Sequence, residues 1–85
     1  MGYKFIADPG HGWLRVPKAE VVGLDVYVSA FSYQDDEYVY LEEDYDAWNW
    51  MQFSGVQNHD VTEHDYTGEW VRDLPRFSQP GTKYC

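Results

Sequence analysis

A dense run of carboxylates is the feature of the sequence with the clearest chemistry. Seven acidic residues fall within positions 35–46: Asp35, Asp36, Glu37, Glu42, Glu43, Asp44 and Asp46. Alternate residues of a strand lie about 6.5–7 Å apart, which is close to the separation of neighbouring phosphates along a nucleic-acid strand. A row of carboxylates at this spacing can occupy a groove lined by lysine and arginine, where charge-assisted hydrogen bonds hold it. The run therefore predicts a phosphate-mimicking surface.

The charge of the whole chain favours the same class of partner. The 85 residues carry a formal net charge of −9, and residues 19–71 contain thirteen acidic residues and no lysine or arginine. Ordinary soluble surfaces intersperse both signs, and self-repulsion of this kind opposes compaction. A phosphate backbone and an anionic membrane leaflet would both repel the chain. The predicted partner is a basic protein surface, without direct binding to nucleic acid or membrane. The alternative is that the acids only solvate the surface.

Three aromatic residues next to the acids are candidate apolar contacts of the same surface. Tyr38 and Tyr40 share one face of a predicted strand, and Trp48 lies on the predicted helix that follows. An exposed tryptophan is a common anchor of protein interfaces. Packing in the core is the alternative for all three, because each aromatic side chain buries a large area.

Asp8 and His11 form a second candidate site, on either side of a Pro-Gly turn. A carboxylate that orients a histidine is useful in acid–base catalysis, and both residue types bind ligands and metals. No serine or cysteine nucleophile is tied to them by a motif. No catalytic residue is therefore assigned, and neither a cofactor nor a metal is predicted. The alternative is a structural turn made possible by the neighbouring glycines.

Hydrophobic alternation and turn residues predict the elements that position these groups. Strands are predicted at residues 3–7, 13–16, 25–33, 38–42 and 69–72. Helices are predicted at residues 17–24 and 45–53, the second capped by Asp44 and ended by Gly55, and residues 56–67 are predicted as loop. This order indicates an α+β fold, a small antiparallel sheet of three to five strands with one or two short helices packed on it. One domain is predicted over residues 1–77, followed by a flexible tail at residues 78–85.

Cysteine usage and hydropathy predict the compartment. The lone cysteine, Cys85, excludes an intramolecular disulfide, and no apolar run is long enough to predict a membrane span. The first residues lack the apolar stretch of a signal peptide. These patterns predict a cytoplasmic protein.

Three segments of the chain resemble a group of small proteins encoded by bacteriophages and mobile elements. They are DPGHGWLRVPK at residues 8–18, FSYQ at residues 31–34 and YVYLEED at residues 38–44. The resemblance covers roughly the first 50 residues and implies a phage or mobile-element setting inside a host cell, but it transfers no catalytic residue. Small acidic proteins of that setting are similar to anti-CRISPR and anti-restriction inhibitors, several of which imitate DNA.

The resulting hypothesis is a phage-encoded inhibitor, monomeric or homodimeric, that blocks the DNA-binding site of a host defence complex. That complex is expected to be a CRISPR effector or a restriction-type assembly with a Lys/Arg-lined cleft. Two alternatives stay open. One is a small enzyme or a ligand- or metal-binding protein centred on Asp8 and His11. The other is an accessory protein of a virion or of its assembly.

Overall fold

The computed structural model describes residues 2–24 and 26–77. Its described part contains five strands and two α-helices, with two 3₁₀ helices at Asn58–Asp60 and Glu69–Asp73. The strands are β1 (Tyr3–Ala7), β2 (Gly12–Pro17), β3 (Tyr33–Gln34), β4 (Tyr38–Glu42) and β5 (Val61–Asp65), and the helices are α1 (Lys18–Leu24) and α2 (Asp46–Ser54). The flexible tail predicted at residues 78–85 lies outside the described residues.

The strands form one mixed sheet in the order β3-β4-β2-β1-β5. The β1–β2, β2–β4 and β3–β4 pairs are antiparallel, whereas β5 runs parallel to β1. The prediction of a small α+β fold with two short helices on a sheet is confirmed. The parallel pair departs from the expected antiparallel sheet because the chain leaves β4 through α2 and returns beside β1, in the direction of β1.

One face of the sheet packs on the two helices. Alternate residues of β2 and β4 point to this face and are buried: Leu14, Val16, Val39 and Leu41. Val21 of α1 and Trp50 of α2 pack against them. Burial of apolar area contributes about 25 cal/mol per Å², so this cluster supplies much of the stability of the small fold.

Residues 69–77, which we call the C-terminal segment, cover the opposite face of the sheet through Val71 and Leu74, whereas Phe77 packs in the core on the helix side. Val71 of this segment packs into a buried cluster with Ile6, Trp13, Tyr33 and Tyr40 of the sheet. Residues 69–72, predicted as a strand, lie in a 3₁₀ helix. This helix places apolar Val71 against the sheet and leaves Arg72 exposed.

The two edges of the sheet differ. The N–H of Gln34 in β3 donates to the carbonyl of Pro75 at 2.9 Å, and the N–H of Phe77 donates to the carbonyl of Ser32 at 2.9 Å. The C-terminal segment therefore covers the edge at β3. Among the described strands, β5 pairs only with β1.

A buried carboxylate explains why residues 26–32 are irregular and not the predicted strand. Asp46 is fully buried at the start of α2. Its Oδ2 accepts hydrogen bonds from the N–H and the hydroxyl of Ser29 at 3.1 and 2.6 Å, and from the hydroxyl of Ser32 at 2.6 Å. Because these bonds draw the segment toward α2, only Tyr33 and Gln34 remain in strand pairing.

The prediction is wrong for the cap at the start of α2 and correct for the residue that ends the helix. Tyr45 precedes the helix without a side-chain cap, so the predicted cap by Asp44 is wrong. The helix ends at Gly55 as predicted. Gly55 has a φ of 83°, in the left-handed region that favours glycine, and its N–H donates to the carbonyl of Met51 at 3.1 Å.

Candidate functional site

The seven predicted acids lie in two groups at opposite ends of β4. Asp35, Asp36 and Glu37 precede the strand, Glu42 is its last residue, and Glu43, Asp44 and Asp46 follow it. Glu37 and Glu43 are separated by the full length of β4, about 20 Å at 3.3 Å per residue. The carboxylates therefore do not form the single continuous row that the sequence suggested.

Asp35 holds the turn before β4 in place. Its Oδ1 accepts hydrogen bonds from the N–H groups of Glu37 and Tyr38 at 2.9 and 2.7 Å, and its Oδ2 accepts one from the hydroxyl of Tyr40 at 2.7 Å. Burial acts to raise the pKa of Asp35, but these hydrogen bonds, with help from Lys18, outweigh it and lower the pKa below its ordinary value. The carboxylate of Asp35 therefore stabilises the fold through its hydrogen bonds.

Glu42 and Asp46 are buried, so neither can present a carboxylate to a partner as predicted. Glu42 accepts hydrogen bonds from the N–H groups of Asp44 and Tyr45 at 3.0 and 3.1 Å, which shapes the connection between β4 and α2. Burial raises the pKa of Glu42, and the neighbouring Asp44 carboxylate adds to the rise. The accessible members of the predicted set are Asp36, Glu37, Glu43 and Asp44.

The three predicted aromatic contacts have different environments. Tyr40 is buried and packs edge-on against Trp70, with the ring centroids 5.5 Å apart. Tyr38 is half-buried beneath the guanidinium of Arg15, which lies 4.3 Å from the ring centroid. Trp48 is 62% exposed on α2. Core packing therefore accounts for Tyr40, and Trp48 has the exposure that an interface anchor needs.

Trp48 and Glu43 line a groove between α2 and β5, with a volume of about 440 Å³. One wall is formed by Trp48 and Met51 of α2. The other wall is an aromatic row in which Phe5, His64 and Tyr66 follow one another with centroid distances of 6.3 Å. We call this feature the α2–β5 groove.

The α2–β5 groove carries the negative charge of Glu43. No lysine or arginine in the described ranges lines it, and Glu43 forms no ion pair there. At the other end of β4, by contrast, Arg15 lines a cavity with Asp36 and Glu37. The charge of Glu43 therefore faces solvent beside apolar walls, whereas the charges at the turn before β4 have a guanidinium nearby.

The rings of the second wall, Phe5, His64 and Tyr66, were not among the predicted contacts. His64 belongs to β5, in a stretch predicted as loop. This strand, VTEHD, is polar at every position but one, so it shows no alternation of apolar residues. Its pairing with β1 is the reason that these rings meet.

Asp8 and His11 are joined through Arg72 and do not form an acid–base pair. Asp8 Oδ1 accepts hydrogen bonds from the N–H groups of Gly10 and His11 at 2.9 and 2.8 Å, as expected of a structural turn. Arg72 Nε donates to Asp8 Oδ2 at 2.6 Å, and Arg72 Nη2 donates to His11 Nδ1 at 2.7 Å. The Arg72 guanidinium lowers the pKa of Asp8 well below its ordinary range. Since arginine only donates, Nδ1 of His11 acts as the acceptor.

Comparison with known proteins leaves the family resemblance of residues 8–44 as a prediction. The chain matches no protein-family model, no curated protein and no solved structure. Within residues 2–24 and 26–77, neither helix has the length and apolarity required to cross a bilayer.

Proposed function

We propose that this protein binds a basic segment of a partner protein in the α2–β5 groove. The observation that carries the proposal is the position of the Glu43 carboxylate, which borders an apolar groove that no lysine or arginine of residues 2–24 and 26–77 lines. The exposed rings of Trp48 and Tyr66, 62% and 69% accessible, supply the apolar part of the site. Exposed apolar surface rimmed by polar groups is typical of protein-binding sites.

A lysine or arginine side chain fits the chemistry of this groove. Its aliphatic stem packs against rings such as Trp48 and Tyr66, because long cationic side chains bury their methylene groups on apolar surface. Its charged head lies over an aromatic face and pairs with the Glu43 carboxylate. The net charge of −9 attracts such a partner from a distance and speeds the encounter.

We further propose that the partner is a host defence complex, a CRISPR effector or restriction-type assembly, whose DNA-binding cleft is blocked in the host cytoplasm. The net charge and the resemblance of residues 8–44 to phage proteins support this identity. The acids available for phosphate mimicry are the two exposed pairs at the ends of β4, Asp36 with Glu37 and Glu43 with Asp44. Two pairs separated by about 20 Å suit two basic patches along one cleft.

Binding to purified effector complexes, with and without competing duplex DNA, tests the proposal. Glu43→Lys and Trp48→Ala are each expected to weaken binding by about tenfold or more, since interface anchors cost about 2 kcal/mol or more when removed. Duplex DNA is expected to displace the protein, and added salt to weaken the complex.

Two exposed residues outside the groove give matched controls. Glu69→Lys changes the net charge by the same amount as Glu43→Lys, and Phe53→Ala removes an aromatic ring from the same helix as Trp48. Both controls are expected to bind normally. Equal losses for Glu69→Lys and Glu43→Lys would show that only the total charge matters. Binding that DNA leaves unaffected would exclude the cleft as the target.

A further inference from the structure

A second cavity, with a volume of about 440 Å³, lies where the C-terminal segment meets the ends of β2 and β4. Its lining includes Trp13, Tyr33 and Glu42, whose side chains lie on the face of the sheet opposite to the helices. Cavities of this size hold small molecules in other proteins. Asp44 alone of its lining residues belongs to the proposed partner-binding acids, so a ligand held mainly by the other residues constitutes a separate function.

Two arginines in the cavity lining are held in fixed positions. Arg72 is bound by Asp8 and His11 through Nε and Nη2, and its guanidinium lies 5.6 Å from the centroid of the Trp13 ring. Arg76 donates through Nη1 to the carbonyl of Ala30 at 2.8 Å and lies 5.0 Å from the centroid of the Tyr33 ring. Within residues 2–24 and 26–77, these bonds leave Nη1 of Arg72 and both Nε and Nη2 of Arg76 for a ligand. Pre-positioned guanidinium groups suit a carboxylate.

Two carboxylates line the same cavity, Glu42 and Asp44. In the described part of the chain no ion pair within 4.0 Å joins either of them to Arg72 or Arg76. Glu42 is buried; it accepts hydrogen bonds from the N–H groups of Asp44 and Tyr45 and shares a side-chain hydrogen bond with Asp44. A buried carboxylate is costly without a cationic partner, and an incoming ammonium group would supply one. Groups of opposite charge thus line one small cavity, and in the described part of the chain no direct ion pair joins them.

The entrance of the cavity is apolar. Phe31 and Tyr45 are 70% and 55% exposed, although both side chains line the cavity. Such rings lose unfavourable contact with water when an apolar group packs between them. The cavity therefore offers sites for an anionic group, for a cationic group and for an apolar body.

We propose that this cavity binds a free α-amino acid with an apolar side chain. The carboxylate of the ligand accepts hydrogen bonds from Arg72 and Arg76, and its ammonium group donates to Glu42 and Asp44. Its side chain packs against Phe31 and Tyr45.

Calorimetric titration of the full chain with L-phenylalanine and with L-leucine tests the proposal. Saturable binding is expected for the free amino acids. N-acetyl-L-phenylalanine lacks the ammonium charge and L-phenylalaninamide lacks the carboxylate, and each is expected to bind about tenfold or more weakly than L-phenylalanine. Absence of saturable binding by both amino acids, or equal binding of phenylalanine and its two derivatives, would overturn the proposal.

Arg76→Met and Arg15→Met form a matched pair, because each removes a guanidinium that stacks on a tyrosine ring. Of these two arginines, Arg76 lines this cavity and Arg15 does not. Arg76→Met is expected to weaken phenylalanine binding by about tenfold or more, and Arg15→Met to leave it unchanged. Equal losses in the two variants would contradict the site.

Amide chemical shifts of the unmodified protein provide a test that does not depend on the folding of a variant. Titration with L-phenylalanine is expected to move the signals of His11, Phe31 and Tyr45, which line the cavity. Shifts concentrated instead on Tyr38 and Trp70, which line the cavity around Arg15, would also overturn the proposal.

Discussion

The hydroxyl of Ser32 donates a hydrogen bond of 2.6 Å to the buried carboxylate of Asp46. Ser32 is itself fully buried, and its Oγ accepts a hydrogen bond from the N–H of Glu42 at 2.9 Å. One side chain therefore connects the irregular segment before β3, the end of β4 and the first turn of α2. Both candidate sites depend on this junction, because Glu43 and Asp44 lie directly between Glu42 and Asp46.

Replacement of Asp46 by alanine tests the contribution of this junction to stability. Asp46→Ala leaves the hydroxyls of Ser29 and Ser32 without their acceptor, and we expect a loss of about 3 kcal/mol in the free energy of unfolding. Asp44→Ala, at an exposed position, is expected to change it by about 0.5 kcal/mol or less. Urea denaturation measures both. Similar midpoints for the two variants would show that the buried carboxylate contributes little.

The Asp8–Arg72 ion pair is expected to stabilise the protein in a pH-dependent way. The pair lowers the pKa of Asp8 in the folded protein below its ordinary value of 3.8. Its contribution is therefore complete above that pH and is lost as the pH falls through and below it. Arg72→Met should lower the free energy of unfolding at neutral pH, and the difference from the unmodified protein should shrink in acid.

Arg76→Met is the control for this pH dependence, because Arg76 donates to a carbonyl that does not titrate. Its effect on stability should stay constant over the same acid range. Urea denaturation of both variants at a series of pH values provides the measurement. A deficit of Arg72→Met that persists unchanged in acid would contradict the role of the ion pair.

Two leucines, one in the core and one at the surface, allow a matched test of the core. Leu41 is fully buried between the sheet and the helices, whereas Leu24 at the end of α1 is 41% exposed. We expect Leu41→Ala to cost about 2–5 kcal/mol, because it removes apolar contacts and leaves a cavity. Leu24→Ala should cost well under half as much. Thermal unfolding distinguishes the two, and comparable losses would place the core elsewhere.

Gly12 is required for the shape of the α2–β5 groove. A Cβ atom at this position would overlap the Phe5 ring and lie 2.8 Å from Oε1 of Glu43. Gly12→Ala is therefore expected to displace both side chains and to weaken partner binding. Gly23→Ala, where a Cβ meets nothing within 4 Å, should bind normally and gain about 0.5–1 kcal/mol of stability in α1. Normal partner binding by Gly12→Ala would show that Phe5 and Glu43 are not part of the interface.

The sequence was sufficient to predict elements whose local patterns agree with their tertiary contacts. β1, β2, β4 and α2 have regular apolar spacing, and Gly55 ends α2 as expected. Residues 26–32 alternate like a strand, but Asp46 binds Ser29 and Ser32 and prevents strand pairing. No local pattern reveals that a distant carboxylate will be buried there.

The candidate sites were less predictable than the fold because they depend on which residues are buried. Glu43 and Trp48 lie in the α2–β5 groove, and both were among the predicted contacts. Glu42 ends β4 and is buried, whereas Glu43, the next residue, is exposed in the turn that follows. The second wall of the groove requires the parallel pairing of β5 with β1, which joins residues far apart in the chain.

The unequal edges of the sheet limit how copies of this protein can associate through backbone pairing. The C-terminal segment occupies the edge at β3, and among the described strands only β5 has a side available. A second copy that docks there uses the available edge of both molecules at once. Among the described strands, pairing of two β5 edges therefore forms a closed pair that leaves neither β5 edge for a third copy.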